Sequence, residues 1–342
     1  MSITIKDVAR EAGVSTATVS HALNGFPEVA EETRRRVRET ADRLGYIPNI
    51  NGRNLASKCG YRIALLLSGM ADRTRRDTTT FRRMQGVCAY CAEHEIEVAV
   101  YAVDPGQLTY SRFCKSHAVQ GAILMGGGTG EECLDDLMEM PVPFVAMDLE
   151  CLTDKNCGIS IDQMTAAAEL TEYLIGRGHT DILVMAGSRE STVCVDRLRG
   201  VMAAMEGAEH PLQMQDILYC GSTEKFMEET DREQAGYRRM KEYLAGEGAG
   251  THTAVLCLDD FLALGAGKAI REAGIRIPQE LSLTGFGGSI LGAYTDPPLT
   301  TMEWDPYDCG YGAAELLHGR MQDQPMKASP VPCRIVVRGS VR

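Results

Sequence analysis

No stretch of this 342-residue chain approaches the roughly 20 apolar residues of a membrane helix, so no membrane partner is expected. A secretory leader is missing from the start as well: Lys6, Asp7, Arg10 and Glu11 fall where its apolar segment would lie. Twelve cysteines without such a leader read as reduced thiols in the cytoplasm. Catalytic signatures are absent too. The chain has no G-x-S-x-G nucleophile elbow. Gly126-Gly127-Gly128 follows a predicted strand, as phosphate loops do, but lacks the Gly-Lys-Ser/Thr ending. Cys88 and Cys91 form the one CxxC, with no second pair and no histidines at zinc-ligand spacing, and read as packing residues on one helix. No enzyme activity, cofactor or metal is therefore expected. No low-complexity tract or short repeat interrupts the chain. With 44% hydrophobic and 24% charged residues it fits a globular protein of about two domains.

What is present is an uneven charge. The net charge is −12, yet residues 1–60 hold nine Lys and Arg against seven Asp and Glu, whereas residues 61–342 hold 26 against 40. A slightly basic head on an acidic body points to an appended nucleic-acid module.

The head, residues 1–48, reads as three short helices. Thr4-Ile5-Lys6-Asp7 has the form of a capping box, and Ile5, Val8, Ala9 and Ala12 then share one helical face. Gly13 stops that helix, Ser15 caps a second from Thr16 to about Leu23, and Asn24-Gly25 ends it. A third helix runs from about Ala30 to Leu44. Two short helices joined by Ala12-Gly13-Val14-Ser15 fit a helix-turn-helix, with Thr16, Ala17, Ser20 and His21 on the outer side of the second. Small hydroxyls suit phosphate and adaptable base contacts, and an alanine methyl meets a thymine methyl. On spacing alone a small helical packing unit fits equally well.

From Tyr61 the texture changes. Strands are predicted at Arg62–Leu67, Val98–Val103, Ala122–Met125, Phe144–Met147, Ile182–Ala186, Ala254–Leu258, Leu281–Phe286 and Ile335–Val337. Helices are predicted near 80–94, 131–140, 163–177, 195–206, 232–245, 260–273 and 306–319. This alternation predicts parallel sheets covered by helices, in two lobes because some 280 residues exceed one comfortable core. Residues 49–60 link head to body. Gly52 disfavours helix there, so this segment is marginal unless held.

The run Ile5-Lys6-Asp7-Val8-Ala9, then Ala12 to Ser20, Ala22-Leu23-Asn24-Gly25, Leu44-Gly45-Tyr46-Ile47-Pro48-Asn49 and Leu55-Ala56 resembles the opening of the LacI–GalR family of bacterial repressors. Along the body, Arg177-Gly178-His179, Arg197-Leu198-Arg199-Gly200, Thr253-Ala254-Val255 with Asp259-Asp260, Leu281 to Phe286, Pro298-Leu299-Thr300-Thr301 and Val336 to Ser340 follow that family in order. The resemblance implies an α/β protein: a small all-α helix-turn-helix head, a hinge helix over 49–60, and a bilobed body over 61–342 like periplasmic binding proteins. Lobe 1 is placed at about 61–160 and 290–320, lobe 2 at about 161–289 and 321–342. It also implies a homodimer on double-stranded operator DNA, controlled by a small molecule, a sugar or sugar derivative, between the lobes.

Residue by residue, the DNA contacts implied are Thr4, Ser15, Thr16, Ala17, Thr18, Ser20, His21, Asn24, Asn49, Arg53, Leu55 and Ala56. Leu55 matches the leucine that wedges between base pairs, a role in which unstacking is offset by a bent duplex; packing against the body is the alternative. The effector contacts implied are Asp77, Asp148, Arg197, Asp260, Phe286 and Trp304. Arg197 matches the family's ligand-contacting arginine, the alternative being a surface ion pair. Trp304, the one tryptophan, follows a further strand at Leu299–Met302, where the chain is expected to cross between lobes, and stacks on a ligand ring or packs inside. Three positions depart from the family: Asp77-Thr78-Thr79-Thr80 replaces an Asn-Pro-Phe-Phe run, Asp259-Asp260 replaces Asn-Asp, and Gly287 replaces a common ligand-binding aspartate. The rival reading is a solute-binding protein without DNA function.

Overall fold

The computed structural model describes residues 3–23, 26, 28–46, 61–68, 78–103, 109–126, 136–137, 140–148, 156–189, 191–221, 229–246, 250–324 and 329–342. Two compact units divide the chain, Met1–Arg62 with Glu95–Glu97, and Ile63–His94 with Val98–Arg342.

In the first unit, α1 (Ile5–Ala12), α2 (Thr16–Leu23) and α3 (Glu31–Leu44) form the head. The Thr4 backbone N–H and hydroxyl both donate to the Asp7 carboxylate, at 3.0 and 2.7 Å, so the capping box closes α1 at its start. Gly13 and Gly45 end α1 and α3 in the left-handed conformation at φ 65° and 68°. Val8, Ala9, Ala12, Val19, Ala22, Val37 and Ala41 are the shared core.

The second unit holds two sheets. The first has strand order β2-β1-β3-β4-β5, with β1 (Arg62–Ser68), β2 (Glu97–Val103), β3 (Gly121–Met125), β4 (Phe144–Met147) and β5 (Asn156–Ile159). The run Ile63-Ala64-Leu65-Leu66 is buried on both faces, as a parallel strand covered above and below requires. One face packs on α5 (Tyr110–His117), through Tyr110, Phe113 and Cys114. The other is covered by α10 (Pro306–Met321), which lies across α4 (Thr78–Glu93).

The second sheet has order β11-β10-β9-β8-β6-β7, with β6 (Ile182–Ser188), β7 (Ile217–Gly221), β8 (Ala254–Cys257), β9 (Ser282–Phe286), β10 (Thr300–Trp304) and an antiparallel β11 (Cys333–Val336). Its helices are α6 (Gln163–Gly176), α7 (Thr192–Gly207), α8 (Glu229–Leu244) and α9 (Asp260–Glu272). Helix pairs approach so closely that a methyl group on Gly200 would overlap the Met164 carbonyl, and one on Gly265 the Glu233 carbonyl.

The chain passes between the lobes at Ser160–Ile161, at Trp304–Asp305 and ahead of Val331, whose N–H donates to the Ser160 carbonyl at 3.0 Å. The expected lobe boundary at 290 is corrected here. Strand β10 pairs with β9 through Thr300–Thr284 and Thr301–Gly285, so residues 300–304 belong to the second sheet and the return to lobe 1 begins at α10. Strands β5 and β7 and helix α5 add to the predicted elements. Of the helix predicted near 131–140, only Asp136 and Leu137 are described as helical.

Candidate functional site

In the head, α2 turns Thr16 and Ala17 to solvent and leaves Thr18, Ser20 and His21 half-buried. Ser15 accepts from the Thr18 N–H at 3.0 Å, which fixes the helix start behind the exposed pair. The His21 ring lies 4.9 Å from that of Phe26, centroid to centroid, and Nδ1 is 3.8 Å from Glu28. Ser15 and Thr4 are exposed beside the helix starts. Asn24, Asn49, Arg53, Leu55 and Ala56 lie outside the described residues, as does Asp77.

In the body a cavity of about 330 Å³ opens where β6, β9 and β10 meet α4, α6 and α7. It continues into an outer cleft of about 880 Å³ along Phe81, Arg82, Phe261, Glu303 and Asp305. These are strand carboxyl ends and helix starts, the place where open parallel sheets take ligands.

Arg197 is held from two directions. Its Nε donates to Gln163 Oε1 at 2.7 Å and its Nη1 to the Leu258 carbonyl at 2.6 Å. The guanidinium lies flat on Phe286, 3.8 Å from the ring centroid. Burial lowers its pKa, with Asp259, Asp148 and Asp260 pulling the other way. Among the described residues no carboxylate pairs with it, so the surface ion pair is not its role. Phe286 itself is buried and forms the floor.

Asp148 lies at the end of β4 with φ 63°, and its carboxylate is gripped by buried Arg83 through two hydrogen bonds of 2.7 and 2.9 Å. Arg83 also lies 5.0 Å over the Trp304 ring. A hydrogen-bonded chain then runs from lobe to lobe. The Ser160 hydroxyl donates to Asp148 at 3.4 Å, Gln163 donates to Ser160 at 3.2 Å, and Gln163 accepts from Arg197.

The two neighbouring acids divide their work. Asp259 caps α9, accepting from the Phe261 and Leu262 N–H groups, and pairs with Arg232 at 2.6 Å on the cavity wall. Asp260 is buried and lines the outer cleft but not the inner cavity. It accepts from Thr301 Oγ1 at 2.6 Å and from the Ser289 N–H at 2.5 Å, and burial pushes its carboxyl up to about 6. It thereby ties α9 to β10 and to the loop after β9.

Arg83, Gln163 and Arg232 are not singled out by the sequence, and Asp259 is named there as a departure without a contact assigned to it. Arg83 left a signal: it falls on the apolar stripe of Val87, Tyr90 and Cys91, where an unpaired charge is not stable. Cys91 is buried, and burial pushes its thiol up to about 12; Cys88 is exposed, against the packing role expected of it. Among the described residues no group of His, Cys, Asp and Glu could hold a metal ion, and no helix is long and apolar enough to cross a membrane.

A helix-turn-helix head joined to a two-lobed body with a polar cleft defines a ligand-responsive transcription regulator. The family model for bacterial regulatory proteins of the lacI family matches residues 4–49, and that for a periplasmic-binding-protein-like domain matches residues 171–341. The repressor PurR of Vibrio parahaemolyticus is 30% identical over 349 residues, covering 99% of this chain and 98% of its own. The repressor CytR of Escherichia coli is 30% identical over 99% of this chain and 96% of its own. The lac repressor dimer bound to operator and the anti-inducer ONPF superposes with a TM-score of 0.81 at 24% identity, over 99% of each chain. The chain belongs to the lacI family of bacterial regulatory proteins, and it is a DNA-binding transcriptional regulator with an effector-binding body.

Proposed function

We propose that this protein is a cytoplasmic homodimeric repressor that reads a near-palindromic operator with α2 and responds to a small molecule seated between its lobes. The cavity supports this best: its walls come from both lobes, with Arg83 and Asp148 on one side and Arg197 and Gln163 on the other. A ligand that prefers one lobe arrangement shifts operator affinity by as much as it discriminates, typically 1–3 kcal/mol. Solved structures of similar fold carry cellobiose and ribose in their complexes, which supports a carbohydrate or related metabolite as effector. Thr16, Ala17 and His21 carry the base readout, and Ser15, Thr18, Ser20, Thr4 and Asn24 the phosphate contacts. Asn49, Arg53, Leu55 and Ala56 act in the hinge, and Asp77 is an effector contact by resemblance alone. Asp260 acts on the effector indirectly, by holding the loop of Gly287.

The test is selection of duplexes from a random pool by the full-length protein. The selected sites are expected to be near-palindromic, with affinity falling steeply as salt rises. His21→Ala is expected to change preference at one half-site position by about 1–3 kcal/mol. An equal loss on every sequence removes His21 from base readout, and a pool that yields no enriched site overturns the reading.

A further inference from the structure

We propose that the inner cavity is built for an anion: a polyhydroxylated metabolite of about one sugar ring bearing a carboxylate or phosphate that docks on Arg197 and the start of α7. This rests on the reading of the cleft as the effector site and adds the chemical class of the effector.

The charges decide the class. Among the described residues, the cavity lining holds three guanidinium groups, Arg83, Arg197 and Arg232, and two carboxylates, Asp148 and Asp259. Each carboxylate is already paired, Asp148 with Arg83 and Asp259 with Arg232. Arg197 pairs with neither, and its Nη2 meets no hydrogen-bond acceptor among the described residues while Nε and Nη1 are tied down. A guanidinium anchored at two nitrogens and open at the third is a fixed donor, not a wandering surface charge. Asp260, the next acid, spends its oxygens on Thr301 and Ser289 and lines the outer cleft, not the inner cavity.

The rest of the lining adds an aromatic wall and a helix start. Trp304 lines the cavity with its indole nitrogen buried, so it presents carbon surface to a ligand. Ser191, Val193 and Cys194 bring the first turn of α7 to the wall. That 16-residue helix is capped by a neutral serine, whereas α9 and α10 start from Asp259 and Asp305. Among the described residues no carboxylate stands at its start, unlike those of α9 and α10. A fixed guanidinium with one nitrogen open and no carboxylate partner among the described residues calls for an ionised acceptor on the ligand.

The loop after β9 adds no carboxylate. Gly287, where the family commonly has a ligand-binding aspartate, has φ 136° and is followed by Gly288 at φ 72°. A side chain at either position is strained, so the missing carboxylate is built into the loop. A volume of about 330 Å³ admits one sugar ring with its charged group.

The experiment is titration of the full-length protein with glucuronate, glucose 6-phosphate, inorganic phosphate and neutral glucose, followed by Trp304 fluorescence and by calorimetry. At least one charged sugar is expected to bind tenfold or more tightly than glucose, with inorganic phosphate competing. Arg197→Gln is expected to lose that binding tenfold or more, and Arg197→Lys to lose less; circular dichroism and Tm check that both variants fold. The carboxylate and phosphate arms separate the two sources of charge. Binding of glucose as tight as that of the charged sugars, charged binding indifferent to Arg197→Gln, or no charged probe bound at 10 mM overturns the anion class. In each of these cases selection of an operator still stands, so failure here is distinguishable from failure of the regulator reading.

Discussion

Arg83 and Asp148, 65 residues apart, form a two-toothed ion pair that fastens α4 to the end of β4 at the cavity wall. Arg83 is buried, and the Asp148 side chain is 33% exposed. The pair joins a helix that begins at the cleft to a strand that ends there. It also places one cationic face against Trp304 of the other lobe.

Removing one partner leaves the other charge poorly solvated. Arg83→Met is expected to cost about 2–3 kcal/mol, below the 3–5 kcal/mol of a fully buried pair because Asp148 reaches water. The double variant with Asp148→Asn should recover part of that loss. Urea unfolding curves with unchanged slope measure it; a loss under 0.5 kcal/mol would show that the pair contributes nothing net.

Asp260 carries a pH signature. Its carboxyl holds a proton up to about pH 6 in the native state and only to about 4 in the unfolded chain. Between those values the native state binds more protons, so this group makes stability fall as pH rises, and its effect levels off above about pH 6. Asp260→Asn lacks this decline, although its amide meets the Ser289 N–H less well. The stability difference between variant and parent is expected to move in the variant's favour by about 2–3 kcal/mol between pH 4 and pH 7. A difference that stays constant across that range refutes the assignment.

Helix contact depends on missing side chains. A methyl group on Gly310 would overlap the Arg83 carbonyl where α10 crosses α4. Gly310→Ala is expected to destabilise by at least about 1–3 kcal/mol through forced separation of the helices. Gly176→Ala, at an open position at the end of α6, should be neutral or stabilising by up to about 1 kcal/mol. Paired thermal melts compare the two, and equal effects would show that the crossing yields freely.

The head is readable from sequence because its devices are local: a capping box four residues long, two glycine stops and an apolar face of period 3.6. The body strands with unbroken apolar runs, such as Arg62–Ser68, are readable for the same reason. Strand β10, Thr-Thr-Met-Glu-Trp, hides its membership because its polar residues are buried by partners 41 and 38 positions away, Asp260 for Thr301 and the Arg338 N–H for Thr300. The cavity is harder still. Arg197 stands out by its motif, but its isolation from carboxylates depends on which arginine each aspartate chooses, and those choices are made across the fold.

The crossings between lobes set an order of assembly during synthesis. Residues 62–159 emerge with all five strands of the first sheet, yet the helix that covers β3 and β4 is α10, which ends at Met321. At about 5–20 residues per second the ribosome leaves that apolar face open for some 8–30 s while the second sheet is being made. The lobe begun first is thus finished only after most of its neighbour exists, and a nascent chain halted near residue 300 presents a half-clad sheet to the chaperones of the cell.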